Sequence, residues 1–380
     1  MSLLSHRAYW RWSAGIQLAR LPATMAPLAF TLLTTAATGS YRLGGVMMAV
    51  YVVAEMAGAV PVGRLLDRVG PAKGLPILLV LTAAGFVVLT LAAAAGVSGF
   101  VLIGLVVLPG LAGGALSGGF RTLLADTVDD ALLPRAISVD AMILEGVLIG
   151  GPALVAVLEL AGSLGPLLAM AAVSVGAALL VPRRQTRPER VNSAGGEPRS
   201  LAACVPWLCC AFTVGLLLST IEVAPLPLVQ RLGAPDTVAP VVIAVLCAAS
   251  IAGNALYAWR GKTGNPRLFL AGFVAGGCVL AANLGWAGLL AGVAIVGACT
   301  GPLVTVTSVN LQRLLPEHRR SEGFSLSFTV QACGFGLGSL AVGVLPLWQG
   351  PLFGVFSAAV AGVMLVRRPA RTIGTMSVTS

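Results

Sequence analysis

This sequence has few charged residues and few histidines. Only 10% of its 380 residues are Asp, Glu, Lys or Arg, against about 25% in soluble domains, which excludes a water-soluble globular fold. His6 and His318 are the only histidines, and the seven cysteines have no metal-binding spacing. We therefore interpret the cysteines as small apolar packing residues and predict no metal centre and no cofactor.

Long apolar segments take up most of the chain instead. Hydrophobic residues make up 57% of it, and its mean hydropathy is +0.94, so it is an integral membrane protein. Its 47 glycines and 23 prolines favour a helical bundle, because membrane helices tolerate both residue types. The alternating pattern of a membrane β-barrel strand is absent.

Apolar windows of about 20 residues, enough to cross about 30 Å of hydrocarbon, predict twelve membrane spans. The first six lie at 13–35, 43–62, 75–96, 99–120, 137–158 and 165–182. The second six lie at 204–228, 238–259, 267–284, 287–309, 322–346 and 350–366. We therefore predict a six-helix bundle over 1–182, an arginine-rich linker over 183–203, and a second six-helix bundle with a short tail over 204–380.

Basic residues are unequally divided between the loops on the two sides of these spans. Twenty-one lie on the side that carries both termini, and two, Arg42 and Arg231, lie on the other side. Basic loops stay in the cytoplasm, which predicts a multi-pass protein of the cytoplasmic (inner) membrane with both termini cytoplasmic. The same distribution accounts for the net charge of +10 without nucleic acid as a partner.

Short matches relate the two sets of six spans. Ala26-Pro27-Leu28 recurs as Ala224-Pro225-Leu226, and Leu132-Leu133-Pro134 recurs as Leu314-Leu315-Pro316. The offsets are close to half the chain length and the matches keep their order. This pattern indicates a duplicated six-helix unit with two pseudo-symmetric halves.

The loop between spans 2 and 3 carries a family resemblance. Residues 63–70 read Gly-Arg-Leu-Leu-Asp-Arg-Val-Gly. They resemble the helix 2–3 loop of the major facilitator superfamily, Gly-x-Leu-x-Asp-Arg-x-Gly followed by two basic residues. The matching positions are Gly63, Leu65, Asp67, Arg68 and Gly70. Pro71 and Ala72 replace the basic pair, and Lys73 comes one place late.

The resemblance implies an architecture and a role for this loop. It implies the major facilitator fold, with the substrate path between two parallel halves. It also implies a gating loop, with Asp67 near the start of helix 11, around Ser321 to Phe324. Backbone N–H groups at a helix start favour an anion there.

Three charged residues lie inside predicted spans at similar depth, about 10 to 12 Å from the cytoplasmic ends. They are Arg20, Glu55 and Glu145. In the family fold helix 1 contacts helix 5, which implies an Arg20–Glu145 pair and leaves Glu55 as the unpaired carboxylate. An unpaired carboxylate in a low dielectric can carry a proton near neutral pH. The alternative is a static network of all three that holds the first half together.

Other polar residues are candidates for the substrate path, and small residues of span 5 are candidates for a helix kink. Uncharged or acidic side chains predicted to face the substrate path are Gln17, Glu222, Asn254, Asn283 and Gln331; Glu222 alternatively reaches the outer membrane interface. In span 5, a small-residue stretch partly matches the Gly-x-x-x-Gly-Pro-x-x-Gly-Gly pattern of drug–proton antiporters, although tight packing alone would explain it. That stretch contains Gly146, Gly150, Gly151 and Pro152. The helix 4 arginine of those antiporters has no counterpart, since Arg121 falls at the cytoplasmic end.

These observations predict a secondary transporter and not an enzyme. We expect a monomer that moves a small organic molecule by alternating access, with proton-coupled export as in efflux-type members. One alternative is a facilitator or uptake carrier without proton coupling. Another is an intramembrane lipid-modifying enzyme that uses Asp126, Asp129 and Asp130. A nucleotide-driven pump is disfavoured, because the chain has no Gly-x-x-x-x-Gly-Lys-Ser/Thr loop.

Overall fold

The computed structural model describes residues 6–38, 41–160, 162–182, 203–235, 238–260 and 264–367. The first helices are α1 (Arg7–Thr38), α2 (Tyr41–Val69), α3 (Pro71–Ala94), α4 (Gly99–Leu105), α5 (Val107–Gly113), α6 (Leu116–Thr127), α7 (Leu133–Glu159) and α8 (Gly165–Leu180). They are followed by α9 (Val205–Glu222), α10 (Pro225–Arg231), α11 (Ala239–Arg260), α12 (Pro266–Ala281), α13 (Gly285–Leu314), α14 (Arg320–Val344) and α15 (Gln349–Arg367). A 3-10 turn, Glu317–Arg319, precedes α14.

The predicted all-helical membrane fold is confirmed. Within the described ranges, ten segments are long and apolar enough to cross a membrane, and the shorter apolar helices α8 and α12 complete a set of twelve. The fourth span, Gly99–Thr127, consists of α4, α5 and α6. These segments correspond in order to the twelve windows predicted from the sequence.

The seventh span is interrupted directly after Glu222. Pro225 starts α10, and a proline disfavours helical geometry in the residue before it. Ala224 accordingly lies outside the helical region, at φ −104° and ψ 15°. Glu222 therefore ends α9, inside the predicted span and not at its outer end.

The helices pack as two groups, α1–α8 and α9–α15. Buried side chains of the first group form two apolar clusters, one around Trp12 and Phe120 and the other around Phe30 and Phe86. The main cluster of the second group surrounds Phe273. Within that group α9 and α14 approach closely along glycines, which lack the Cβ atom that would separate their backbones.

The boundaries of the two predicted bundles stay predictions. The predicted linker, 183–203, lies outside the described residues except for Ala203. The turn between α2 and α3 is described, and there Gly70 has φ 89°, a conformation that side chains with a Cβ rarely adopt. This glycine allows the chain to reverse over a single residue.

Candidate functional site

Asp67 of α2 caps the first turn of α14, in the other helix group. Its Oδ1 accepts a hydrogen bond from the backbone N–H of Ser321 at 2.8 Å, and its Oδ2 accepts one from that of Glu322 at 2.9 Å. The first N–H groups of a helix have no partner within the helix, and the helix dipole favours an anion there. The predicted position of Asp67 is therefore confirmed.

Glu322 adds ion pairs around this contact. Its Oε1 accepts from Arg64 Nε at 2.9 Å, and its Oε2 from Arg319 Nε at 3.0 Å. Arg319 lies outside the membrane spans. The Glu322 carboxylate raises the pKa of Arg319, mainly through their hydrogen bond and also through its negative charge. Because the Arg64 side chain is 58% exposed, its ion pair with Glu322 contributes only about 0 to 1 kcal/mol to the stability of this contact. The cap at Asp67 is the better protected contact.

Glycines allow the two groups to meet at this point. A Cβ on Gly63 would lie 3.1 Å from the Cα of Glu322, and one on Gly118 of α6 would lie 2.8 Å from the carbonyl oxygen of Ser321. Leu65 and Arg68 are exposed instead. Of the loop residues, Asp67 and Gly63 contact α14, whereas Leu65 and Arg68 do not point into the contact.

Further polar contacts join the groups deeper in the bundle. Three hydrogen bonds do so: Thr122 with Ser321 at 3.2 Å, Ser138 with Thr305 at 3.2 Å, and Ser250 donating to Glu145 Oε1 at 2.8 Å. We call the side with the α2–α3, α6–α7 and α13–α14 junctions the basic face. The polar contacts run from this face to mid-depth, so the basic face is closed in this structure.

The predicted Arg20–Glu145 pair is wrong. Arg20 donates to both oxygens of Asp140, at 2.8 and 3.1 Å, and Gln17 donates to the same carboxylate at 2.8 Å. Glu145 comes five positions after Asp140, which rotates its side chain by about 140° around the helix relative to that of Asp140. Asp140 therefore faces α1, and Glu145 faces α11.

Asp140 also binds a second buried cation. Arg121 Nη2 lies 3.4 Å from Asp140 Oδ2, and the two side chains are 5% and 1% exposed. Arg121 is therefore a buried residue and not a loop residue, which corrects the prediction from its place at the end of span 4. Asp140 is a site residue that was not predicted. The available signal was Asp140 itself, an acidic residue within the fifth predicted span. Two Arg121 nitrogens, Nε and Nη1, have no hydrogen-bond partner within the described ranges.

Glu55 has its hydrogen-bond partner in its own helix, so the three predicted charges do not form one hydrogen-bonded network in the described residues. It accepts a hydrogen bond from the Tyr51 hydroxyl of its own helix. Beside it lies a cavity of about 60 Å³ that is also lined by Arg20, Thr82 and Ser117, enough for about two waters. The static network of all three charges is therefore wrong for this conformation.

Glu145 lies in a polar pocket formed by the other helix group. Besides the hydroxyl of Ser250, the thiol of Cys247 donates a hydrogen bond to it. Glu222, at the exposed end of α9, is close enough to interact electrostatically with both Glu145 and Cys247. Among the described residues, no Lys or Arg forms an ion pair with Glu55, Glu145 or Glu222.

Three residues predicted for the substrate path have packing or turn contacts in this structure. Gln17 belongs to the Asp140 cluster, Asn254 is fully buried against Gly301 of α13, and Asn283 lies in the turn between α12 and α13 with φ 52°. Gln331 is half-buried on α14. Uncharged amides also satisfy helix packing and turns, so the substrate-path role of these residues stays a prediction.

The small-residue stretch of α7 is mostly open. A Cβ on Gly146 or Gly150 would meet nothing within 4 Å, whereas Gly151 packs against Thr24 of α1. Pro152 is exposed within a continuous α7. Tight packing therefore explains Gly151 but not Gly146 and Gly150.

Cavities in the described part of the chain differ in character. One, about 760 Å³, is an apolar groove between α9, α14 and α15. A second, about 480 Å³, lies at the basic face beside Asp67, Lys73 and His318. Neither includes Glu145, so neither coincides with the carboxylates at mid-depth.

Within the described ranges, twelve apolar segments in two groups, joined by a helix cap, form an architecture typical of membrane transporters. The family model of the Major Facilitator Superfamily matches residues 14–338, and the chain belongs to this family. The chain is 29% identical over 355 residues, covering 86% of each chain, to an uncharacterized MFS-type transporter of Sinorhizobium fredii.

Solved structures share the fold. A bacterial homologue of the iron transporter ferroportin, in an outward-facing state, has a TM-score of 0.75 at 18% identity, with 95% of this chain and 100% of that chain covered. The Escherichia coli fucose:proton symporter has a TM-score of 0.69 at 14% identity, with 94% and 98% covered. The protein is a transporter and not an enzyme; Asp126, Asp129 and Asp130 are exposed at the α6–α7 junction.

Proposed function

We propose that this transporter exports a small organic molecule across the cytoplasmic membrane in exchange for protons, with its basic face in the cytoplasm. One observation carries the proposal: the carboxylate of Glu145 lies at the contact between the helix groups, bonded to Ser250 at 2.8 Å, and has no ion-pair partner in the described part of the chain. Ionisable groups inside membrane spans are costly, and such groups commonly have functional roles. An unpaired carboxylate in this position can bind and release a proton.

Glu145 is a better coupling residue than Glu55. Its hydrogen-bond partner, Ser250, belongs to the other helix group, so a change in its protonation alters a contact that must break when the groups move. Glu55 bonds to Tyr51 of its own helix. Its protonation state has no direct effect on the contact between the groups.

The closed basic face supports an alternating-access mechanism. With the basic face closed by Asp67 and α14, a substrate site between the halves is shut off from the cytoplasm. Opening that face requires the Asp67 cap and the Glu145–Ser250 hydrogen bond to separate. A fucose:proton symporter shares the fold, so the fold is compatible with proton coupling.

Two features favour export of an organic molecule. The span 5 stretch partly matches that of drug–proton antiporters, and Gly146 and Gly150 remain open in the structure. The membrane spans also contain few charged groups, which suits a small amphipathic substrate better than a highly charged one. We expect a monomer surrounded by lipid.

The substrate can be identified by comparing the compounds retained by cells with and without the protein. Transport of the identified compound is then measured in proteoliposomes with and without a pH gradient. Glu145→Gln should abolish gradient-driven transport and leave substrate exchange without a gradient intact, and Glu55→Gln serves as the matched control. If the wild-type transport rate is the same with and without the pH gradient, the proposal is contradicted and a facilitator is supported.

A further inference from the structure

Arg121 is a buried cation with hydrogen-bond donors that no described residue uses. Its side chain is 5% exposed, and its Nε and Nη1 atoms have no hydrogen-bond partner among the described residues. The third nitrogen, Nη2, lies 3.4 Å from Asp140 Oδ2, whereas strong charged hydrogen bonds are about 2.7 to 2.9 Å long. A buried donor without a partner costs free energy, so these atoms indicate an interaction beyond the Asp140 contact.

The Asp140 carboxylate is already bonded to other donors. Its Oδ1 accepts hydrogen bonds from Arg20 and Gln17, both at 2.8 Å, and its Oδ2 accepts one from Arg20 at 3.1 Å. Arg20 thus takes both oxygens, and only the longer contact is left for Arg121. Two arginines and one carboxylate give this cluster one positive charge in excess.

The other carboxylates nearby do not neutralise that charge. Within the described ranges, Asp140 is the one acidic residue that forms an ion pair with Arg121. Glu322 and Asp67 are engaged at the start of α14. Glu55 accepts its hydrogen bond from Tyr51. A buried charge without a counterion is strongly unfavourable, and such a charge inside a membrane span commonly has a functional role.

Arg121 lies next to the contact that closes the basic face. Its neighbours on α6, Gly118 and Thr122, both meet Ser321 of α14: a Cβ on Gly118 would lie 2.8 Å from the Ser321 carbonyl oxygen, and the two hydroxyls are 3.2 Å apart. Arg121 is six positions before Thr127, the end of α6, which is about 9 Å along the helix. When α14 moves away from α6, a molecule entering from the basic face can reach this guanidinium group.

We propose that Arg121 binds an acidic group of the transported molecule, and that the substrates are organic anions with a carboxylate, sulfonate or phosphate. This inference rests on the proposed export function and names its substrate class. The oxygens of such a group accept hydrogen bonds from the Nε and Nη1 donors. Asp140 is a positioning residue, because it holds Arg20 and lies beside Nη2 of Arg121.

The excess charge is the reason to expect an anion at this position. Water or a neutral polar group would satisfy the two donors but would leave the buried charge without a counterion. An acidic group satisfies both the donors and the charge. Because Arg121 is reached from the basic face, an anion would be taken up there, as export from the cytoplasm requires.

Anion binding can be measured before the natural substrate is known, on the purified full-length protein in detergent. The probes are benzoate, benzenesulfonate and phenyl phosphate, with neutral benzamide as the comparison at the same ionic strength. A ligand that binds the folded state raises the unfolding temperature, so the anions should raise that of the wild type and benzamide should not.

Three variants assign the shift in unfolding temperature to one side chain. In Arg121→Gln the shift should be lost. In Arg121→Lys it should be smaller, because lysine keeps the charge but not the planar set of donors. Arg135→Gln removes an exposed charge on α7 and should respond to the anions as the wild type does.

The stability of the variants without probe separates binding from a structural role. Arg121→Gln leaves Arg20 and Asp140 as a balanced pair, so it should unfold at or above the wild-type temperature. Arg20→Gln removes the bonded partner of Asp140 and should unfold at a lower temperature. If Arg121→Gln is destabilised as much as Arg20→Gln, or fails to fold, Arg121 belongs to the structural network and the inference is overturned.

Other results would also overturn it. These are an equal shift with benzamide, an anion-induced shift that persists in Arg121→Gln, and no shift with any of the three anions. An Arg121-dependent shift with inorganic phosphate alone would replace the organic substrate class by an inorganic ion.

The identified substrate separates this inference from the proposed function. For a substrate with an acidic group, Arg121→Gln should raise KM by about tenfold or more. Gradient-driven transport of a compound without an acidic group would overturn the inference and leave the proton exchange standing. If wild-type transport is the same with and without the gradient while the anion shift depends on Arg121, the proton exchange fails and the anion site stands.

Discussion

Arg20 of α1 binds both carboxylate oxygens of Asp140 of α7, at 2.8 and 3.1 Å. Asp140 is 1% exposed and also lies 3.4 Å from Arg121 of α6. One carboxylate therefore joins three helices of the first group. Because two arginines share it, its loss would leave two buried cations without a counterion.

Asp140→Asn should strongly destabilise the protein. Breaking a buried ion pair by removing one partner costs about 3 to 5 kcal/mol, because the remaining charge stays buried. We expect low expression and a markedly lower unfolding temperature in detergent. Glu145→Gln, a neutralisation on the same helix, should unfold close to wild type.

The stability lost in Arg20→Ala should be partly recovered by a second substitution at Asp140, the residue that Arg20 binds. Arg20→Ala combined with Asp140→Asn should lose less stability than the sum of the two single variants, because they contact each other. Arg20→Ala with Glu145→Gln should be simply additive. Additive losses in the first combination would show that Arg20 and Asp140 do not pair in the membrane.

Asp67→Asn should loosen the basic face without unfolding the protein. Asparagine keeps one acceptor oxygen but loses the charge and the second hydrogen bond at the start of α14. Such contacts contribute about 1 kcal/mol, about a fivefold shift in the equilibrium between closed and open states. The measurement is maleimide labelling of a cysteine placed at Ser325, which is buried at the contact, in a protein whose native cysteines are serines.

The matched control for Asp67 is the next residue along the chain. Arg68→Gln changes an exposed side chain of the same loop, so labelling at Ser325 should remain slow. If both variants label at the wild-type rate and transport normally, the loop only anchors the topology.

The position of Asp67 could be predicted from the sequence because a short loop motif and the N–H groups of a helix start define the contact. The twelve spans could be predicted because hydrocarbon thickness fixes their length. The partner of Arg20 could not be predicted by depth alone, since Asp140 and Glu145 share one helix and differ in direction around it. Likewise, the amides of Gln17 and Asn254 carry no signal that distinguishes a substrate path from a packing site.

Gly118→Ala should weaken the contact between α6 and α14. A Cβ there would lie 2.8 Å from the carbonyl oxygen of Ser321, and backbone atoms cannot move aside as a flexible side chain can. Overpacking of this kind costs about 1 to 3 kcal/mol, so the cysteine at Ser325 should label faster. Gly104→Ala is the control, and equal labelling of the two variants would contradict the close approach.

The orientation prediction rests on loop charge and can be tested independently of transport. With Arg121 buried, 20 Lys and Arg residues remain on the basic face against Arg42 and Arg231 on the other, which still predicts a cytoplasmic basic face. A reporter that is active only in the cytoplasm should work when fused after Arg190 or Ser380. A fusion in the turn at Gly233, on the opposite face, should be inactive. Activity only at Gly233 would invert the topology and with it the direction of the proposed transport.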